Sequence, residues 1–296
     1  MKNVTIKLIH LFVSTIILMM VTAPFVNAQD EEKKPDRPVR NLFESNLLID
    51  NQTAIVPVKG TFEFDIMHRF GTWQNGYDDF WGIFAPSNIR LGFTYVAVKK
   101  LQLGFGLTKQ NHLLDFNVKY AILEQTRSGR IPLALSYYGN MAIDARDGSN
   151  FETGTDRYSF FHQLMVARKF SDKLSVQGSF NFSHFNAVQA FKNDAGEVLP
   201  VRENDHMSFS ILGRYKITDG TSFIFSYDRP ITDHEQADPE ANLSFGVEFV
   251  TSSHAFQLFI GNYRGIVPQY NHALNQQSFG DNEILIGFNM TRLWNF

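Results

Sequence analysis

ILIGFNMTRLWNF, Ile284 to Phe296, carries a two-residue alternation of large apolar side chains with smaller or more polar ones. Side chains alternate between the two faces of a strand. Ile284, Ile286, Phe288, Met290, Trp294 and Phe296 therefore fall on one side, and Leu285, Gly287, Asn289, Thr291, Leu293 and Asn295 on the other. The first face suits lipid and the second mostly suits water. At the edge of a soluble sheet such an aromatic-ended apolar face is an aggregation hazard, whereas the closing strand of an outer-membrane barrel requires it. Arg292 is the misfit on the apolar face; near a strand end its long side chain reaches the headgroup layer.

The same period recurs back along the chain. Phe62, Phe64, Ile66 and Phe70 alternate with Glu63, Asp65, Met67 and Arg69, and Ile89, Leu91, Phe93 and Tyr95 alternate with Arg90, Gly92 and Thr94. Leu101, Leu103, Phe105 and Leu107 alternate with Gln102, Gly104, Gly106 and Thr108; Leu114, Phe116, Val118, Tyr120 and Ile122 follow, set against Asp115, Asn117 and Lys119. Further runs lie at 131–145, 158–170, 174–187, 206–217, 222–231, 242–250 and 255–263. With 283–296 these make about twelve strands, an even number as single-chain bacterial barrels have. Short connections at 99–100, 125–130, 171–173, 218–220 and 252–254 alternate with long ones at 71–88, 146–157, 188–205, 232–241 and 264–282. The connection at 109–111 is short where a long one is expected. The expected fold is all-β, a transmembrane antiparallel up-and-down β-barrel over residues 60–296, with both termini on the short-turn side.

The N-terminus and composition agree with that fold. Met1 to Ala28 reads as a signal peptide, with Lys2 and Lys7 ahead of an apolar run from Leu8 to Val21 and Val26-Asn27-Ala28 as cleavage site. Loss of those two lysines takes the formal charge from -3 to -5, a balance that argues against nucleic acid. With no cysteine in the sequence, disulfides and lipoprotein processing are excluded. Mean hydropathy is -0.19, near neutral as a barrel with one polar face requires, and 29 Phe, 10 Tyr and 3 Trp supply a lipid face and aromatic girdles. Residues 29–59 read as a periplasmic segment. Charges and prolines mark 29–40 as a linker, and Leu42, Phe43, Leu47, Leu48 and Ile49 suggest either a short amphipathic helix at the rim or a small plug.

Few residues suggest chemistry. Arg69, Arg90 and Glu283, with Asp115 nearby, are expected to share the outer mouth of the lumen, either as an eyelet that orders polar solutes or as static ion pairs. His206-Met207-Ser208 places a histidine and a serine on one face of a strand and resembles the dyad of outer-membrane phospholipases and lipid A deacylases. Those families place Asn directly after the serine, and Phe209 stands here instead. Asp233, His234, Glu235, Asp238 and Glu240 crowd one long loop without the spacing of a calcium loop, so no metal and no cofactor is expected. Tyr77, Asp78, Asp79, Phe80, Trp81 and Phe84 occupy the first long loop, as a constriction or a cap on the rim. Gly104 and Gly106 fall on the lumen face, where they make room in the wall.

Phe43-Glu44-Ser45, Leu48 to Thr53, His68-Arg69-Phe70-Gly71-Thr72 with Asn75-Gly76, Pro86 to Gly92, and Gly104-Phe105-Gly106 resemble motifs of an uncharacterised family of outer-membrane-type β-barrel proteins. The resemblance covers most of the chain after the signal and is densest from Asn41 to Arg146. It implies the barrel and no activity. Trp294 and Phe296 are similar to the C-terminal aromatic signature that the barrel assembly machinery reads. The expectation is a monomer in the outer membrane of a two-membrane bacterium, surrounded by outer-membrane lipids. It acts as a passive channel or binding protein for small polar solutes. The alternatives are a lipid hydrolase using His206 and Ser208 and a surface-interaction barrel with a blocked lumen.

Overall fold

The computed structural model describes residues 36–193, 196–234 and 236–296. The expected signal at 1–28 and the first part of the linker, 29–35, lie outside the described residues. The barrel strands are β1 (Thr61–Thr72), β2 (Asn88–Val98), β3 (Leu101–Thr108), β4 (Leu113–Leu123), β5 (Ala134–Ile143), β6 (Tyr158–Lys169), β7 (Leu174–Phe185), β8 (Asp205–Lys216), β9 (Thr221–Pro230), β10 (Asn242–Val250), β11 (His254–Gly261) and β12 (Leu285–Asn295). Each pairs antiparallel with its chain neighbours, and β12 closes on β1 through Asn289↔Met67, Thr291↔Asp65 and Trp294↔Phe62. The result is a closed barrel of twelve strands, with no sheet edge to aggregate.

The burial pattern is inverted relative to a soluble protein. Along β7, Ser175, Gln177, Ser179, Asn181 and Ser183 are buried, while Val176, Phe180 and Phe182 are exposed or half-exposed on the outside. Phe116, Phe223, Phe245, Phe249, Phe256 and Leu258 are likewise exposed. In water this arrangement exposes large apolar side chains and buries amides and hydroxyls. It is stable where the outside is lipid, which demands that every backbone polar group be satisfied inside the protein. Phe62 packs against Trp294 at 5.7 Å and Phe105 against Phe116 at 5.3 Å, forming part of that outer aromatic coat.

Two segments fill the lumen. From the short-turn end, Val39 donates its N–H to the Gln125 carbonyl, and the chain then rises inside the barrel as a narrow hairpin. Leu47↔Gln52 and Leu48↔Asn51 are its paired residues, and its tip, at Ile49 and Asp50, turns through a positive φ of 60° at Ile49. That turn, rather than an amphipathic helix, is what residues 42–55 form. From the long-loop end, the connection after β11 dips inward as helix α1 (Pro268–Leu274), burying Gln269, Asn271, His272 and Ala273. The aromatic side chains of Tyr77, Phe80, Trp81 and Phe84 pack edge-on or tilted against one another and remain exposed.

Candidate functional site

The lumen is the site, and the hairpin is held in it by wall side chains that reach inward from many strands. Lys119 on β4 is fully buried, and its Nζ donates to Asn46 Oδ1 at 2.9 Å, Gln52 Oε1 at 3.0 Å, and the Asn46 and Thr53 carbonyls at 3.2 and 3.3 Å. Asn46 Nδ2 donates in turn to Gln102 Oε1 at 2.8 Å and Glu63 Oε2 at 3.1 Å. Gln257 on β11 accepts the Ile49 N–H and donates to the Leu47 carbonyl. Gln177 on β7 accepts the Ala54 N–H and donates to the Gln52 carbonyl. Ser45 donates to Glu248, Ser136 to the Ala54 carbonyl, and Gln163 to Asn51. Arg214 joins Glu44 at 2.9 Å and Glu248 at 3.3 Å. Backbone groups that a narrow two-by-two hairpin leaves unpaired thus find partners in the wall, as burial requires.

The expected Arg69, Arg90 and Glu283 group does not assemble. Arg90 is clamped between Asp115, at 2.8 Å, and Asp65, at 3.1 Å, with Asn140 also donating to Asp115. Arg69 instead bonds Asn289 Oδ1 at 2.9 Å and the Ile49 carbonyl at 3.2 Å, its guanidinium 4.6 Å from the Phe259 ring centre. Glu283 lies before the start of β12, where it accepts the Ser278 N–H and a bond from Gln74 in the long-loop region. Arg69 stands opposite Gly287, in the same register as the rest of the β1–β12 ladder, so Glu283 lies four residues beyond that partner and before β12 begins. A Cβ on Gly287 would lie 2.5 Å from the Phe259 ring and 3.1 Å from Arg69 Cδ, so glycine clears the arginine's path. Gly106 does the same for Arg90, since a Cβ there would lie 2.3 Å from both Arg90 Nη2 and Asp115 Oδ2.

The His206 and Ser208 pair does not form a dyad either. His206 Nδ1 faces His234 Nε2 at 3.0 Å, and Ser208 Oγ faces His272 Nδ1 at 3.0 Å and accepts from Asn181 Nδ2 at 3.2 Å. Two residues apart on β8, the side chains are drawn to different partners from the loops above them. Glu235 of the neighbouring acidic loop lies outside the described residues, and Asp238 accepts the His234 N–H.

Sequence reasoning missed the point where the two fillers meet. Tyr263 OH donates to Asp50 at 2.9 Å and Asn271 Nδ2 also donates to Asp50, while Asp228 on β9 accepts from Asn51 at 2.8 Å and Asn242 at 3.4 Å. Burial, reinforced by the Asp228 charge, pushes the Asp50 carboxyl up to about 7, and burial pushes His272 down to about 4. The signal available in sequence was weak: an acid beside Ile49, and an Asn-His pair within a long loop. Between hairpin and helix remains a cavity of about 20 Å³, lined by Asp50, Met67, Arg90, Tyr138, Phe161 and Pro268 among others. That is room for about one water.

No curated protein matches the chain in sequence. Among solved structures, the chain is similar to the NanC porin at 7% identity, with 79% of this chain and 99% of that one covered and a TM-score of 0.47. It is similar to an outer membrane channel from Pseudomonas putida F1 at 12% identity, covering 81% and 97%, with a TM-score of 0.47. A third similar structure is the P. putida toluene transporter TodX, at 10% identity, 82% and 91% coverage and a TM-score of 0.41. Residues 43–294 match the family described as a membrane bound beta barrel domain, a span that runs from the hairpin into the last barrel strand. The chain belongs to this family, DUF5777.

Proposed function

We propose that this protein is an outer-membrane barrel that passes small polar solutes through its lumen, with the hairpin around residues 45–54 as a gate that closes it. The observation that carries this reading is the chemistry of the wall behind the hairpin. Gln102, Lys119, Gln163, Gln177, Glu248 and Gln257 face inward and hold the hairpin by hydrogen bonds. Water replaces such bonds at small net cost, whereas an apolar wall would resist hydration once a filler left. The gate is thus bound to a surface that remains a pore lining without it.

Outer-membrane lipids around the aromatic coat, assembly machinery reading Trp294 and Phe296, and a monomeric state complete the proposal. A second reading, a barrel filled for good and used as a surface scaffold, draws on the complete burial of Lys119 and Arg69 against the hairpin. Liposome swelling in small sugars separates the two. A disulfide between Asn51→Cys and Ser226→Cys, whose side chains meet at 3.1 Å in the native protein, fixes the hairpin to the wall. Gating predicts sugar entry that stops on oxidation and returns on reduction; equal, negligible entry in both states favours the scaffold.

A further inference from the structure

Three elements converge on one buried cluster. Asp50 comes from the hairpin tip, Asp228 from β9 in the wall and His272 from α1, and one ligand atom from each lies within 4.8 Å of the other two. All three residues are buried. Two adjacent carboxylates repel unless a proton or a cation lies between them. Their donors Tyr263, Asn271, Asn51 and Asn242 are neutral, and the nearby Arg69 guanidinium directs its hydrogen bonds to Asn289 and the Ile49 carbonyl rather than to either carboxylate.

A second observation is independent of the carboxylates. Asn271 and Asn242, 1% and 2% exposed, each touch one of these aspartates through Nδ2, and each leaves its Oδ1 buried with no hydrogen-bond partner. The orientation of an amide is set by its partners, so a cation between the aspartates favours a half-turn that brings each orphaned oxygen onto it. His272 is prepared in the same sense. Its Nδ1 lies 3.0 Å from Ser208 Oγ, and in the tautomer whose Nδ1–H donates to that hydroxyl, Nε2 carries the lone pair that a metal takes.

We infer that Asp50, Asp228 and His272, aided by the amide oxygens of Asn271 and Asn242, form a binding site for a divalent first-row transition cation, which clasps the hairpin to the loop helix and the wall. An imidazole beside two carboxylates suits Zn²⁺ or Mn²⁺ better than Ca²⁺ or Mg²⁺, which favour all-oxygen shells. Ligands about 2.1 Å from a tetrahedral cation lie about 3.4 Å from one another, so atoms now within 4.8 Å draw together by up to about 1.4 Å, a movement open to a hairpin tip and a short helix. As a clasp, the cation opposes release of the gate, so this part of the inference rests on the gating proposed above.

The test uses the full chain in detergent, stripped with EDTA and titrated calorimetrically with Zn²⁺, beside the near-isosteric Asp228→Asn and His272→Gln variants. Circular dichroism and the gel shift between boiled and unboiled samples verify that each barrel is folded. The expected result is one Zn²⁺ per chain, weakened at least about tenfold by either substitution. Zn²⁺ should also slow hydrogen exchange at the Ile49 amide in the wild type. Failure of folded wild type to take up Zn²⁺ saturably, uptake that both variants retain unchanged, or equal competition by Ca²⁺ overturns the site. Because binding is read without solute flow, a positive titration beside sugar-tight liposomes refutes the gate and leaves the site standing, and the converse result does the reverse.

Discussion

Lys119→Met should loosen the hairpin without opening the barrel wall. The lysine's Nζ is the shared donor to four acceptors on the hairpin, at 2.9, 3.0, 3.2 and 3.3 Å, and methionine fills a similar volume with no donor. Loss of one partner from a buried, charge-assisted set costs about 2–5 kcal/mol, much of it from the acceptors left behind. At about 1.4 kcal/mol per tenfold, the equilibrium for hairpin release shifts by about 30-fold to about 4,000-fold. Hydrogen exchange reads that shift at the Ile49 and Ala54 amides, which are protected by Gln257 and Gln177 rather than by a barrel ladder. Both amides should exchange faster by that factor while the β-ladder amides keep their protection. Lys216→Met, at an exposed short turn where the lysine meets Asp219, is the control and should change neither. Unchanged exchange at Ile49 and Ala54 in a folded Lys119→Met barrel would show that the wall does not retain the hairpin.

Other substitutions probe the wall. Arg90→Met strands Asp65 and Asp115 without their counter-charge and should cost about 3–5 kcal/mol, seen as a lower thermal midpoint in detergent; an unchanged midpoint would contradict the buried clamp. Gly106→Ala forces a methyl onto that same clamp and should lower the midpoint, whereas Gly178→Ala, where a Cβ meets nothing within 4 Å, should lower it far less. Ser208→Ala removes a hydroxyl held by Asn181 and His272 and should cost about 1 kcal/mol in stability. The same variant should leave lipid hydrolysis assays at background, and a phospholipase activity present in wild type and lost in the variant would restore the enzyme reading.

The barrel was legible because lipid on one side and polar groups on the other impose a period of two that survives strand by strand, as in Phe62 to Phe70 and Ile284 to Phe296. The contents of the lumen were not. A serine, asparagine or glutamine on the inner face satisfies water and a filling peptide equally well, so Gln177 and Gln257 gave no sign that a hairpin more than a hundred residues away would take their amides. Asp50, Asp228 and His272 come from three distant parts of the chain, and their meeting depends on how far the hairpin and α1 each reach inward. The Glu283 placement failed for a smaller reason: Arg69 pairs with Gly287, four residues along from Glu283, and the strand begins only at Leu285, which leaves that acid in the loop with Ser278.

Single-channel recording in planar bilayers can compare the full chain with a chain shortened to residues 59–296. The shortened barrel keeps every wall strand and lacks the hairpin. Gating predicts a steady ionic current from it, against a full chain that stays closed apart from brief openings. A shortened barrel that folds, inserts and carries no current would contradict the account.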